Sequence, residues 1–205
     1  MTTNTPRIKH GWFRAVLFFI SFFIFVTFFD LAGIAIVSLL TEYSFKEYIS
    51  DTALLMENKM MLLMMVCQLA GTLFTVWLFQ KYINREPFSS IGIEFSGYKN
   101  DFIFGLLIGS GLIVMGFSIL IIFNFISVSS LQFSFIDQLF YLCLFAVVSI
   151  NEEIAMRGYI LQNLSSSFNK YIALALSSLV FMICLLYTSD AADEGLGVDL
   201  GGRRI

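Results

Sequence analysis

Four long apolar runs decide which solvent this chain folds in. They extend over roughly Phe13 to Leu40, Met60 to Phe79, Phe102 to Val128, and from about Asp137 through Ile150, and a fifth begins after Lys170. A hydrocarbon core needs about 20 consecutive apolar residues per helical crossing. Only 13% of the residues are charged and 58% are hydrophobic, whereas in a soluble domain about a quarter are charged. The expected fold is all-α: a polytopic transmembrane helix bundle with four complete spans plus a truncated fifth. Twenty-four Phe against two Pro exclude a disordered chain, and the absence of a basic face excludes a nucleic-acid partner. Cys67, Cys143 and Cys184 sit in apolar surroundings, where their spacing suits neither a disulfide framework nor a zinc ribbon. Membrane lipid is the first partner the composition implies.

Orientation follows from the loops, because Lys and Arg resist translocation. Arg7, Lys9 and Arg14 precede or open the first run, Lys81, Arg85 and Lys99 follow the second, and Lys170 follows the fourth. The segment 41–59 is predominantly acidic, with Glu42, Glu47, Asp51 and Glu57. The alternation puts the N-terminus in the cytoplasm of a multi-pass cell-membrane protein and brings Glu152 toward the cytoplasmic leaflet. The first run is too long for a cleaved leader and is expected to stay as a helix.

Composition changes at Cys184. The stretch CLLYTSDAADEGLGVDLGGRRI holds four acids, two bases and four Gly, and it interrupts the fifth apolar run. A helix that ends at mid-bilayer leaves carbonyls unpaired in hydrocarbon. The expected division is a transmembrane domain over 1–183, with its motif region at 137–183, and a disordered, non-native tail over 184–205 that resembles translated adapter read-through.

Asn151, Glu152, Glu153 and Arg157 form the one ionisable cluster reached at membrane depth after a clean apolar run. From Asp137, Glu152 lies about 22 Å along a helix rising about 1.5 Å per residue. Charges at that depth require pairing or water. Glu153 and Arg157, four apart in the acid-first order, can pair along one face. Glu152 points about 100° away, toward the face of Ser149 and Met156. Without a local partner it is a candidate general base. An ordinary wet helix end would carry the same residues, and spacing alone leaves both readings open.

The run EEIAMRGYILQNL resembles the E-E-x-x-x-R-G motif of the CPBP intramembrane endopeptidases, the group that includes CAAX prenyl endopeptidases and the bacterial Abi proteins of bacteriocin processing and immunity. REPFSSIGI, GLLIG and ALALSSLVF occur in the order that the family shows. The resemblance implies an intramembrane metalloprotease. Glu152 would activate a water, Glu153 would support it, and Arg157 would neutralise and orient the pair. It also implies an F-x-x-x-H motif on the next helix and a further His downstream, acting directly or through zinc or another divalent metal. Phe181 fits the start of that motif, but position 185 is Leu and the chain's one His is His10. The metal ligands expected by resemblance are therefore absent, and the chain as written is expected to be inactive.

Other residues are candidates on weaker grounds. Asp30 is either a proton or ion site or a wet bend. The methionines at 56, 60, 61, 64 and 65 suit packing better than soft-metal binding. Ser165 to Ser167 form a polar loop rather than a nucleophile. Gly105 and Gly109 make a G-x-x-x-G suited to close helix packing. The alternatives to an endopeptidase acting on a peptide or protein substrate are a non-catalytic immunity protein and a small transporter subunit using Asp30, Glu152 and Glu153 as a relay. A prenylated C-terminus, a leader peptide and an anti-sigma factor all remain open as substrates.

Overall fold

The computed structural model describes residues 5–50, 54, 58–92, 97–127 and 133–196, with backbone alone at 58, 59 and 186–196. Asp51, Met56, Glu57 and the end of the tail lie outside the described residues. All regular structure among those described is helical. The elements are α1 (Gly11–Leu40), α2 (Phe45–Ser50), α3 (Asn58–Phe79), α4 (Lys99–Ile122), α5 (Phe135–Glu152), α6 (Gln162–Ser165) and α7 (Lys170–Leu196). A π-helical turn, Gln80–Asn84, extends α3, and a second, Glu153–Leu161, joins α5 to α6. Gly11–Leu40, Met60–Asn84, Lys99–Ile122 and Phe135–Ser165 are long and apolar enough to cross a membrane, and Lys170–Leu185 is a shorter apolar stretch. The chain is therefore read as a multi-pass, all-α helical membrane protein.

Local chemistry explains several helix ends. The expected third span runs to Val128, whereas α4 stops at Ile122. Asn124 takes a left-handed φ of 57°. Its N–H donates to Ile121 O at 3.0 Å and that of Phe125 donates to Leu120 O at 2.9 Å, the paired bonds with which an asparagine or glycine closes a helix. At α2, Ser44 N–H donates to Glu47 Oε2 at 2.6 Å, and Glu47 N–H returns to Ser44 Oγ at 3.4 Å. This reciprocal arrangement satisfies the first orphan amides of a short helix. α7 continues across the composition break at 184 to Leu196, where the sequence reading expects disorder. Extending a formed helix through residues such as Ala191 and Ala192 requires no new nucleus.

Contacts divide the chain into two units, Met1–Ile91 with Leu142–Ile205, and Gly92–Tyr141. In the second, α4 buries no residue. A Cβ added at Gly105, Gly109, Gly111 or Gly116 would meet nothing within 4 Å, so the close approach anticipated from G-x-x-x-G is not made within this unit.

The first unit is where small residues bring helices together. A Cβ at Gly71 of α3 would stand 3.0 Å from Val26 Cα of α1, and one at Gly33 would stand 2.7 Å from Cys67 Sγ. In lipid, such van der Waals contact and interhelical hydrogen bonding drive association, because hydrophobicity favours no partner over the solvent. Met60 and Met64 pack against Ile34, Val37 and Tyr48, a packing role.

One end of this unit is tied by a buried polar clamp. Arg14 of α1, 6% exposed, donates from Nη1 to Asn84 Oδ1 at 3.0 Å and from Nη2 to Ser166 Oγ at 2.9 Å. Asn84 Nδ2 donates to Gln80 Oε1 at 2.6 Å, Gln80 Nε2 to Ser90 Oγ at 3.0 Å, and Tyr159 Oη to Asn84 Oδ1 at 3.2 Å. Below the clamp, the Phe18 and Tyr159 rings stack at 4.2 Å, and Phe79 meets both edge-on. The start of α1, the end of α3 and the end of the α5–α6 segment thus lie together. Ser166 and Ser167, in the turn after α6, belong to this junction, the latter accepting from Trp12 N–H at 3.2 Å.

Candidate active site

The clamp sets the register of what lies deeper. Sixteen residues separate Arg14 from Asp30, sixteen separate Asn84 from Gln68, and fourteen separate Ser166 from Glu152. At about 1.5 Å per residue the α-helical run from Arg14 to Asp30 covers about 24 Å, and the other two runs, which include the π-helical turns, bring their polar side chains to the same cavity. They meet there. Asp30, Gln68, Asn151 and Glu152 line one cavity of about 270 Å³ together with Thr27 and apolar groups such as Phe22, Val26, Met156 and Phe181. Asp30 Oδ1 and Asn151 Oδ1 are both buried without a hydrogen-bond partner, at a cost of about 1–3 kcal/mol for each unsatisfied group.

Glu152 stands at a junction. It also borders a smaller cavity of about 120 Å³ with Glu153, Arg157, Ser177 and Ser178. The two glutamates therefore have different surroundings, as the 100° rotation between them anticipates. Arg157 Nη1 lies 2.8 Å from Glu153 Oε1, and the two side chains are 72% and 53% exposed. Glu152 is half-buried. The first turn after Glu152 is π-helical, a wider winding than the α-helix the sequence reading assumes and one often found at functional sites. The acid-first pair forms across it nonetheless.

Leu185 and Cys184 line the larger cavity together with Phe181. The position at which the F-x-x-x-H pattern would place an imidazole therefore faces the same space as Glu152. His10 stands at the clamp end, beside Trp12 at a ring separation of 6.5 Å, about 30 Å by residue count along α1 from the level of Asp30. Among the described residues no three His, Cys, Asp or Glu are grouped so that they could hold a metal ion. The donors present do not fit zinc, which favours four close nitrogen or sulfur ligands.

From sequence, Asp30 is joined to Glu152 and Glu153 only in the relay alternative, and Arg14 serves only as an orientation signal. The structure gives Asp30 a place opposite the motif helix and buries Arg14 in the clamp. Gln68, Gln80, Asn84 and Tyr159 are absent from the sequence reading. The available signal was polar residues inside or at the edge of apolar runs, at matching distances from their ends.

Residues 134–198 match the family model described as Type II CAAX prenyl endopeptidase Rce1-like. The match covers the motif helix and α7 and runs past position 184. No curated protein matches the chain, and no solved structure does. Through the segment that carries Asn151, Glu152, Glu153 and Arg157, this chain is similar to the Rce1-like, CAAX-protease type of membrane protein.

Proposed function

We propose that the chain is part of an intramembrane endopeptidase of the CAAX-protease type, with Glu152 as the general base that activates a water for attack on a peptide carbonyl near the cytoplasmic membrane face. The observation that carries this reading is the placement of Glu152 on a mostly apolar cavity that it shares with Asp30 and position 185. A positioned base in such a site contributes about 100- to 10,000-fold to rate. Glu153, ion-paired with Arg157, has a supporting role beside Glu152. With Leu at 185 and no imidazole near the cavity, the chain as written lacks the groups that would polarise the water, and we expect it to be catalytically silent.

The experiment has two arms. The purified chain is tested against membrane-inserted and prenylated peptides, and so is a chimera in which residues 184–205 are replaced by the corresponding imidazole-bearing segment of an Rce1-like protein. The chain should not turn over substrate, whereas the folded chimera should, with Glu152→Gln lowering its rate about 100- to 10,000-fold. A folded chimera indifferent to Glu152→Gln contradicts the assignment of the base. Turnover by the chain itself, lost in Glu152→Ala, contradicts its silence.

A second reading has one observation in its favour: two membrane-depth carboxyl groups, Asp30 and Glu152, share a cavity, as a proton or ion relay would need. It predicts ion flux in proteoliposomes that depends on Asp30. Glu153, paired with Arg157 on the other side, would take no part.

A further inference from the structure

A separate hollow of the first unit takes no part in the chemistry assigned to Glu152. It has a volume of about 300 Å³, and every residue that lines it is aliphatic or aromatic, among them Trp12 and Phe19 of α1, Leu164 of α6, Phe168 of the turn that follows, and Leu176 and Val180 of α7. Its rim is fixed. Trp12 N–H donates to Ser167 Oγ at 3.2 Å, and α1 approaches α6 so closely that a Cβ at Gly11 would collide with Asn163 O. From Trp12 to Phe19 the hollow follows α1 away from the clamp end for about 10 Å.

The rim is also positive. Lys9 precedes Trp12 by three residues and Lys170 follows Phe168 by two, and both are exposed. Arg7, whose N–H donates to Ile83 O at 2.8 Å, stands at the same end with Lys81 and Arg85. Arg14 is buried there, and its guanidinium donates to the neutral oxygens of Asn84 and Ser166. The described acid of this end is Glu86, which follows α3 and does not line the hollow. Among the described residues the one ion pair is Glu153–Arg157, so neither Lys9 nor Lys170 is neutralised by a carboxylate.

Apolar contact alone selects no ligand in a bilayer, because a tail in the hollow leaves an equally apolar surrounding. Selection has to come from the rim. Basic sites between membrane helices hold anionic lipid headgroups, each cation contributing about fivefold in affinity. A free anion would use the cations and leave the hollow unfilled, whereas a neutral lipid would fill the hollow and leave the cations unanswered. An anionic phospholipid satisfies both.

We propose that this hollow seats one acyl chain of an anionic phospholipid, with the headgroup phosphate held at the rim by Lys9 and Lys170. Trp12 stands between headgroup and tail, the level at which tryptophan settles in membranes. The site is independent of the endopeptidase reading, and the lipid it holds joins α1, α6 and α7 beside the clamp.

Trp12 reports the contact directly. With Trp77→Phe, which leaves Trp12 as the one tryptophan, the chain is reconstituted in phosphatidylcholine bilayers, and its fluorescence is titrated with phosphatidylglycerol carrying brominated acyl chains or with equally brominated phosphatidylcholine. Brominated phosphatidylglycerol should quench saturably, with a relative affinity about ten- to 25-fold higher, the contribution of two cations. Lys9→Gln and Lys170→Gln should each lower that preference about three- to fivefold, and together they should bring it below about threefold. Val16→Phe, at an exposed lining position, narrows the hollow without touching a charge and should lower the preference as well. Leu176→Phe repeats this from α7 should the first variant misfold. A preference that survives in the folded double Lys variant overturns the proposal, and so does one that the folded hollow-filling variants leave unchanged, the sign of diffuse attraction to the surface. Equal quenching by the two lipids overturns it too, as does quenching by neither, the result expected where another helix or an isoprenoid chain occupies the hollow.

Discussion

Two polar clusters lie along the same three helices, and they are finished differently. At the clamp, Arg14, Asn84, Gln80, Tyr159 and Ser166 bind one another through directed hydrogen bonds, with Arg14 Nε the one clamp atom left buried and unpaired. About 20 Å away by residue count, Asp30 and Asn151 each keep an unpaired oxygen beside a cavity. The first arrangement is what a membrane fold uses to hold helices together, since a satisfied buried network specifies one geometry. The second weakens the fold locally and is retained beside the one residue with a proposed chemical role. The contrast separates polar residues that hold helices together from polar residues left with an unpaired oxygen.

Breaking the clamp should have the largest effect. Asn84→Leu removes the acceptor of both Arg14 and Tyr159 and the donor to Gln80 and should lower stability by about 2.5–6 kcal/mol, one charged and two neutral hydrogen bonds. Asn151→Leu, which deletes an oxygen already unpaired, should stay within about 0.5 kcal/mol of the parent or exceed it. Denaturation of the two variants in mixed micelles compares them directly, and equal losses would erase the distinction.

Glycine positions sharpen the contrast between the units. A Cβ at Gly11 would collide with Asn163 O and Ser166 Oγ, so Gly11→Ala should cost about 1–3 kcal/mol, as overpacking does. Gly109→Ala on α4, with open space around it, should be neutral or stabilising by up to about 1 kcal/mol. The same unfolding assay reads both.

The ion pair beside the cavity should matter less to folding than its prominence in the motif suggests. With both side chains more than half exposed, Arg157→Ala should change stability by no more than about 0.5 kcal/mol, even where it alters chemistry. A loss as large as that of Asn84→Leu would place Arg157 within the structural network.

The smallest effect belongs to α2. The Glu47 carboxylate accepts hydrogen bonds from the Ser44 N–H and hydroxyl, which hold it below the ordinary glutamate value. Its folded value is thus lower than its unfolded one. The capping contribution is complete above the unfolded value and fades as pH falls through the folded one. The Ser44 amide resonance should follow that titration, and Glu47→Gln should remove it.

The helices were legible because a bilayer leaves the backbone no alternative: apolar length alone placed α1, α3, α4 and the start of α5. Helix ends were less legible. Asn124 ends α4 by adopting a left-handed backbone, a signal that a count of apolar residues passes over. The π turns after Phe79 and Glu152 escaped because periodicity arguments assume one winding throughout. At the site, the separate surroundings of Glu152 and Glu153 followed from their 100° offset, and the Glu153–Arg157 pair from four-residue spacing. Asp30 was joined to Glu152 only in the relay alternative; that the two line one cavity was hidden, since it depends on Arg14, Asn84 and Ser166 aligning three helices from their far ends.

The central claim is that Glu152 is sheltered within the fold whereas its neighbour is open. Glu152→Cys and Glu153→Cys, each made with Cys67, Cys143 and Cys184 replaced by Ala and reconstituted in liposomes permeable on the relevant side, can be timed for reaction with a bulky, membrane-impermeant maleimide. The account predicts that the thiol at 153 is modified at least about tenfold faster than the one at 152, the mark of a difference near 1.4 kcal/mol in access. Equal rates, or faster reaction at 152, would show that no sheltered carboxylate exists and would remove the basis for an active site there.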